Sequence, residues 1–187
     1  MKEDLWRAKM FRLGIVLLLS VPLLAAPVPK DASPRRLPPN SNTLFKAHAG
    51  KITFEASSSY AGWEAGKLID GVEATSWFSA DSDSPMRGKK PWVRATFGED
   101  VTVRRVTILG NREPNFPTGY FVTAGTLELL DAAGQTLHKA DVTSTGPKHD
   151  FDFDLFHTKG KVRAIRFTCT QDEKQMSCIA LAELQVE

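Results

Sequence analysis

The chain is short of most of what a catalytic or nucleic-acid-binding protein is built from. Its 187 residues include two cysteines, Cys169 and Cys178, and four scattered histidines, His48, His138, His149 and His157. Two cysteines without a neighbouring histidine pair do not make a zinc site. No Gly-x-Ser-x-Gly elbow, His-Glu-x-x-His helix or phosphate-cradling glycine loop occurs. Long apolar runs are missing too, apart from LGIVLLLSVPLLAA, which interrupts itself at Pro22 and falls short of the ~20 residues a membrane span needs. It follows a head carrying Lys2, Arg7, Lys9 and Arg12 and ends in small residues, the pattern of a secretory signal cut after Ala26. An uncleaved anchor helix is the alternative.

Net charge is the last absence. Residues 1–26 carry four basic side chains and two acidic ones, so their removal leaves 20 of the 24 basic and 20 of the 22 acidic residues. The nominal charge of +2 therefore belongs to the leader. A neutral remainder lacks the electrostatic footprint of a nucleic-acid binder or of a polybasic membrane patch.

What is present divides in two. Residues 27–43, PVPKDASPRRLPPNSNT, are rich in proline and polar side chains and read as a linker. From Leu44 to Glu187 the chain alternates. KITFEASS, WVRATFG, VTVRRVTILG, HDFDFDLF, KVRAIRFTCT and IALAELQVE place apolar side chains at every second position, and GTLELLDAAGQTL reads as a hairpin turning at Asp131–Gly134. No stretch after the leader sustains an amphipathic helix. Eight short strands in this length predict an all-β sandwich, because two facing sheets hide eight half-apolar strands. Asp150, Asp152 and Asp154 would then stand in one row ~7 Å apart, too spread to converge on one ion, which makes them a solvated sheet face. A small domain committed to such a core has little room for a deep catalytic pocket, so no enzymatic activity is expected.

Several segments have chemistry left over. LIDGVEATSW joins the turn Asp70-Gly71 to the hydroxyl of Thr75. It reads either as an ordinary Asx turn or as a calcium loop, since calcium takes six to eight oxygen ligands from carboxylates, hydroxyls and carbonyls. SSSYAGWEAGK leaves Trp63 without an alternating strand to bury it, either packed in its loop or open for stacking on a pyranose ring. In GNREPNFPTGY, Asn111, Arg112 and Asn115 offer donors for sugar hydroxyls and Phe116 a stacking plane, unless the segment is simply a solvated loop. SADSDSPMRGKK is a charge-balanced rim whose one apolar spike is Met86, which argues against membrane insertion. Cys169 and Cys178 bracket the expected turn between the last two strands, where in an oxidising compartment they could form a disulfide or remain free buried thiols.

Taken in order, ASSSYAGWEAGKLIDGVEATSWFS, PWVRATFG, VRRVTILGNRE and IALAELQV resemble the discoidin family, the coagulation factor 5/8 C-terminal domain of the galactose-binding-like superfamily. The resemblance covers roughly residues 46–187 and is nearest to the family's bacterial sugar-binding modules. It implies an eight-stranded antiparallel jelly-roll sandwich with a structural calcium ion. The carboxylates of Asp70 and Glu183, the hydroxyl and carbonyl of Thr75 and the carbonyls of Lys67, Val72 and Ala182 would be its ligands. Val72 departs from the family pattern, which commonly has Asp or Asn there. The resemblance also implies that Trp77 and Trp92 lie inside the sandwich, and that a glycan or a cell-surface or matrix ligand binds loops at one end, near Trp63, Asn111, Arg112, Asn115 and Phe116. The alternative on the same scaffold is a protein-interaction or adhesion domain without a sugar site.

Overall fold

The structure is a computed structural model and describes residues 42–155, 161–173 and 176–187. The expected signal segment, residues 1–26, and all of the linker but Asn42 and Thr43 lie outside the described residues. Among the described residues no helix is long and apolar enough to cross a membrane.

The order is a one-turn helix α1 (Thr43–Ala47), β1 (Ile52–Ala56), β2 (Trp77–Phe78), β3 (Trp92–Val101), β4 (Arg105–Gly110), β5 (Val122–Leu130), β6 (Thr136–Thr143), β7 (Phe151–Asp154), β8 (Val162–Asp172) and β9 (Ala180–Val186). Single 3-10 turns occupy Ala65–Ile69 and Pro85–Arg87. The strands form a five-stranded sheet, β1-β3-β8-β5-β6, and a four-stranded sheet, β2-β9-β4-β7. Every ladder between them is antiparallel. The strand beyond the expected eight is β2, whose two residues are too few to display a period.

Alternation decides what is buried. On β7, Phe151 and Phe153 point into the core while Asp152 and Asp154 point out. Across the sandwich they meet Phe167 of β8, at ring-centroid distances of 5.0 and 6.4 Å. Burying a side chain of this size contributes about 1.5–3 kcal/mol. Neighbouring strands leave no spare volume either: a Cβ on Gly125 of β5 would stand 2.2 Å from Cζ of Phe167 on the adjacent β8. The β5–β6 hairpin turns where expected, with Asp131 Oδ1 accepting from the amides of Ala133 and Gln135 at 2.9 and 2.8 Å.

Three expectations need correction. The aspartate row is not merely solvated, because Asp150 pairs with Arg112 and Asp152 with Arg105. Trp77 is fully buried, but Trp92 is half-exposed on the outer face, stacked under the Arg166 guanidinium at 5.0 Å. Its neighbour Val93 takes the inward position, so the pleat turns Trp92 out. Cys169 and Cys178 are both free and buried. They do not face each other across a hairpin, because β8 and β9 belong to different sheets and the connection between them crosses the sandwich. Burial pushes both thiols up, Cys178 to about 11 and Cys169 well above its ordinary value.

The strand at the centre of the smaller sheet is buried at all seven positions. Its inward residues shift from Ile179 and Leu181 to Leu184 and Val186. The shift coincides with a register break opposite β4, where Leu109 pairs with Glu183, Gly110 with Leu181, and Ala182 has no partner. This β-bulge turns Glu183 and Gln185 to the outer side of the sheet. There Asn42 holds the strand, its side chain donating to the Leu184 carbonyl at 3.0 Å and accepting from the Val186 amide at 2.9 Å.

Two tests follow from this packing. Gly125→Ala forces a methyl into the Phe167 ring and should cost about 1–3 kcal/mol, read as a lower denaturant midpoint at unchanged slope. Protein unfolded without reductant should titrate two free thiols; a count of zero would show a bridge that this fold does not make.

Candidate functional site

Two cavities gather the residues singled out in the sequence. The first, about 380 Å³, lies on the outer side of β9 and is lined by Asn42, Phe45, Asp70, Gly71, Glu73 and Glu183 among others. The 3-10 turn Ala65–Ile69 ends at Asp70, and Gly71, at φ +77°, takes the left-handed conformation that reverses the chain. Asp70 Oδ1 accepts from the Val72 amide at 2.8 Å. The Thr75 hydroxyl lies 2.8 Å from Asp70 Oδ2 and 2.9 Å from the Val72 carbonyl oxygen, with one proton to give. This is the Asx turn; whether it is also an ion loop depends on the opposite wall.

That wall is Glu183. It is 2% exposed, and its Oε2 has no hydrogen-bond partner among the described residues. Burial first, and the charge of Asp70 second, push its carboxyl up to about 8 against the partial relief of a hydrogen bond from the Gly71 backbone. Glu73 adds a further repulsive charge. Asp70 and Glu183 thus share one cavity, as expected. Lys67, Val72 and Thr75 belong to the same loop and Ala182 adjoins Glu183, but none of these four lines the cavity. Among the described residues no three His, Cys, Asp or Glu side chains are grouped to hold a metal ion. An ion here would therefore draw on hydroxyl and carbonyl oxygens beside the two carboxylates. The donors present are all hard oxygens, and the uncompensated Glu183 is the kind of group a hard cation would satisfy.

The second cavity, about 400 Å³, opens where the C-terminal ends of β2, β4 and β8 meet the N-terminal ends of β5 and β9. Its walls are Tyr60, Trp63, Phe78, Phe116 and Tyr120, with Asp81, Met176, Ser177 and Cys178. The rings meet edge to face: Trp63 stands 5.7 Å from both Phe78 and Phe116, and Phe78 5.2 Å from Tyr120. Tyr60 and Phe116 remain 47% and 38% exposed, an open aromatic surface that a closed core would not leave. Trp63 packs against Tyr60, Phe78 and Phe116 and also lines the cavity.

Backbone stitching places these rings. The amide of Tyr60 donates to the Phe78 carbonyl at 2.9 Å, and the Phe78 amide donates to the Trp63 carbonyl at 3.2 Å, so the loop is laid along β2. Tyr120 adopts a positive φ of +62°, uncommon for a non-glycine residue, and its carbonyl accepts from the Ala180 amide at 2.8 Å. Burial pushes the Tyr120 hydroxyl up, so it stays protonated at neutral pH.

Asn111 and Arg112, expected on the ligand surface, do not line this cavity. Asn111 is 4% exposed. Its amide donates to the Phe116 carbonyl at 2.6 Å, while its oxygen accepts from the Glu113 amide at 3.0 Å and the Ser76 hydroxyl at 3.1 Å. Arg112 turns back to Asp150 and to the carbonyls of Gly110, Asn111 and Lys148. Both hold the 111–120 loop in shape. Asn115 is exposed and donates to Glu113 Oε1 at 3.2 Å, and Phe116 alone of this group lines the cavity. Glu113, which the sequence reading passed over, is buried and also accepts from the Trp63 indole at 3.3 Å. Tyr60, Phe78 and Tyr120 were missed as well; aromatics recurring in the loop after β1, on β2 and in the loop before β5 were the available signal.

Among the described residues one Ser-His-Glu chain occurs, with Ser144 Oγ 3.1 Å from His149 Nδ1 and His149 Nε2 3.3 Å from Glu173 Oε1. None of its members lines either cavity.

Comparison with known proteins agrees with this architecture. No curated protein matches the chain. The family 32 carbohydrate-binding module of C. perfringens NanJ, solved in complex with galactose, is similar at TM-score 0.60 and 20% identity, over 73% of this chain and 93% of that one. The lectin domain of lectinolysin complexed with Lewis B antigen is similar at TM-score 0.58 and 19% identity, over 74% and 92%. A chitosan-binding module from a Paenibacillus sp. IK-5 chitosanase/glucanase is similar at TM-score 0.56 and 24% identity, over 73% and 95%. The model of the F5/8 type C domain matches residues 53–184, most of the described domain and more than half of the sequence, and the chain belongs to that family.

Proposed function

We propose that the chain is an exported, non-catalytic carbohydrate-binding module whose ligand site is the aromatic cavity at the β4–β9 end, with a structural calcium ion between Asp70 and Glu183. The observation that carries the glycan reading is the exposed aromatic surface of Tyr60, Trp63 and Phe116 over a cavity large enough for a sugar ring. A pyranose presents an apolar face of C–H bonds to such rings while its hydroxyls reach the polar rim. The solved relatives reported above carry carbohydrate-binding, lectin and chitosan-binding names, which supports the same reading. In this reading, export relies on residues 1–26.

Calcium would be held by the Asp70 and Glu183 carboxylates, with the Thr75 hydroxyl and the loop carbonyls of Lys67, Val72 and Ala182 within its reach. It would neutralise two carboxylates that otherwise repel, and tie the last strand to a loop more than a hundred residues earlier, which closes a long segment of chain. The unpartnered Oε2 of Glu183 supports this role.

Three measurements test the proposal. Phe116→Ala removes a ring of the cavity wall together with its edge contacts to Trp63, Phe78 and Tyr120, and should weaken glycan affinity about tenfold at a temperature where the melting curve shows the variant still folded. Silence of the unmodified protein across a broad glycan panel would refute a sugar site. Calcium at a hundredfold over its Kd should stabilise the fold by about 2.7 kcal/mol, and Glu183→Gln should abolish that gain. A chelator without effect on the melt would remove the ion from the proposal.

The pH dependence has a definite sign. Without metal, the folded protein keeps the Glu183 proton up to about pH 8, whereas the unfolded chain releases it near the ordinary glutamate value of 4.5. Metal-free stability should therefore fall as pH rises between those values. Calcium has to displace that proton, so its stabilising shift should be larger above pH 8 than at ~pH 6, and equal shifts would contradict a Glu183 ligand.

A further inference from the structure

The cavity of Asp70 and Glu183 has a third buried oxygen on its floor. Gln185 stands two residues beyond Glu183 on β9 and lines the same cavity. It is 4% exposed, and its Oε1, like Glu183 Oε2, is out of solvent with no hydrogen-bond partner among the described residues. A folded chain rarely leaves one buried acceptor open, and two that share a cavity point to a common occupant. Alternate positions of a strand lie ~7 Å apart. A row of three aspartates cannot close on one ion across twice that span, but two side chains as long as Glu and Gln reach a point between them.

Glutamine suits this position electrostatically. Asp70, Glu73 and Glu183 already bring three carboxylates to the cavity wall, and the first two disfavour the charged form of the third. A fourth carboxylate would add to that repulsion, whereas an amide carbonyl offers a hard cation an oxygen without charge.

Asn42 fixes where this side chain goes. It occupies the N-cap of α1, where an asparagine ordinarily accepts from a helix amide, yet it makes no such bond. Both ends of its side chain go to β9 instead, to the Leu184 carbonyl and the Val186 amide, which are the peptide groups on either side of Gln185. The strand is thereby clamped around Gln185, beside the cavity that Asn42 itself lines.

We infer that Gln185 is a further ligand of the calcium ion, its amide oxygen joining the carboxylates of Asp70 and Glu183, and that Asn42 is the positioning residue that holds it there. The inference rests on the calcium reading and adds to its ligands an oxygen that the sequence did not single out. Asn42 belongs to the segment read as linker, so ion binding also fixes the point where that segment meets the sandwich.

The test uses the full chain stripped of metal, titrated with calcium by calorimetry and with terbium, whose luminescence lifetimes in light and heavy water count the waters left on the ion. Gln185→Met keeps the length of the side chain and removes the oxygen, and should weaken calcium about tenfold and add about one coordinated water to bound terbium. Gln185→Glu keeps an oxygen at the same reach, so it should bind calcium at least as tightly as the parent while melting lower in chelator. Asn42→Ala should weaken calcium about threefold in the parent and leave it unchanged in the Gln185→Met background. Unchanged affinity and water count in Gln185→Met overturn the assignment and leave calcium between Asp70 and Glu183 standing. Weaker binding in Gln185→Met and Gln185→Glu alike shows a packing role, and overturns the assignment too. Additive losses from Asn42→Ala and Gln185→Met overturn the positioning role. A parent that binds neither calcium nor terbium refutes the calcium reading, and this inference with it.

Discussion

Burial of the last strand is the constraint on which the rest depends. β9 sits between β2 and β4 with all seven residues out of solvent. It is covered on one side by the other sheet, and on the outer side it meets Asn42 and the loop of Asp70. Such a strand cannot slide by one residue without exchanging its core and outer faces. Its bulge is therefore held in place, and with it the aim of Glu183. The same strand begins at the aromatic cavity, where the Ala180 amide fixes the Tyr120 carbonyl. One element thus sets the geometry of both candidate sites.

The two sites solve opposite electrostatic problems. At Asp70 and Glu183, carboxylates are pressed together in a cavity that burial has made unfavourable for charge, and the folded protein answers by raising the Glu183 carboxyl. At the aromatic cavity the carboxylates are separated and each has a role: Glu113 is buried and holds Trp63 and Asn115, whereas Asp81 stands at the rim. The first arrangement presses two carboxylates together out of solvent, and the second leaves one carboxylate exposed at a rim of aromatic rings.

The loops around the aromatic cavity are ordered by polar side chains rather than by secondary structure. Asn111 substitutes for a missing ladder, joining Ser76, Glu113 and Phe116 through both ends of its amide. Arg112 does the same toward Asp150 and the Lys148 carbonyl. These two look like ligand-binding residues because the chemistry that binds a sugar hydroxyl also caps a carbonyl. Nothing in the local sequence distinguishes the two uses.

By itself the sequence determined the sandwich, the β5–β6 hairpin, the inward phenylalanines of β7 and the meeting of Asp70 with Glu183. The first three follow from period-two alternation and turn chemistry, which are local, and the last from the ordered motifs of the family. Tertiary structure alone decided that Trp92 faces out, that β2 exists as a strand, that Cys169 and Cys178 do not face each other across a hairpin, and which aromatics share a cavity. Each of these depends on how segments far apart in the chain pack together, and a pattern read along one strand carries no information about which face its neighbours will cover. The direction of Asn111 and Arg112 belongs to the same class, since it was set by Ser76, Lys148 and Asp150 arriving from other loops.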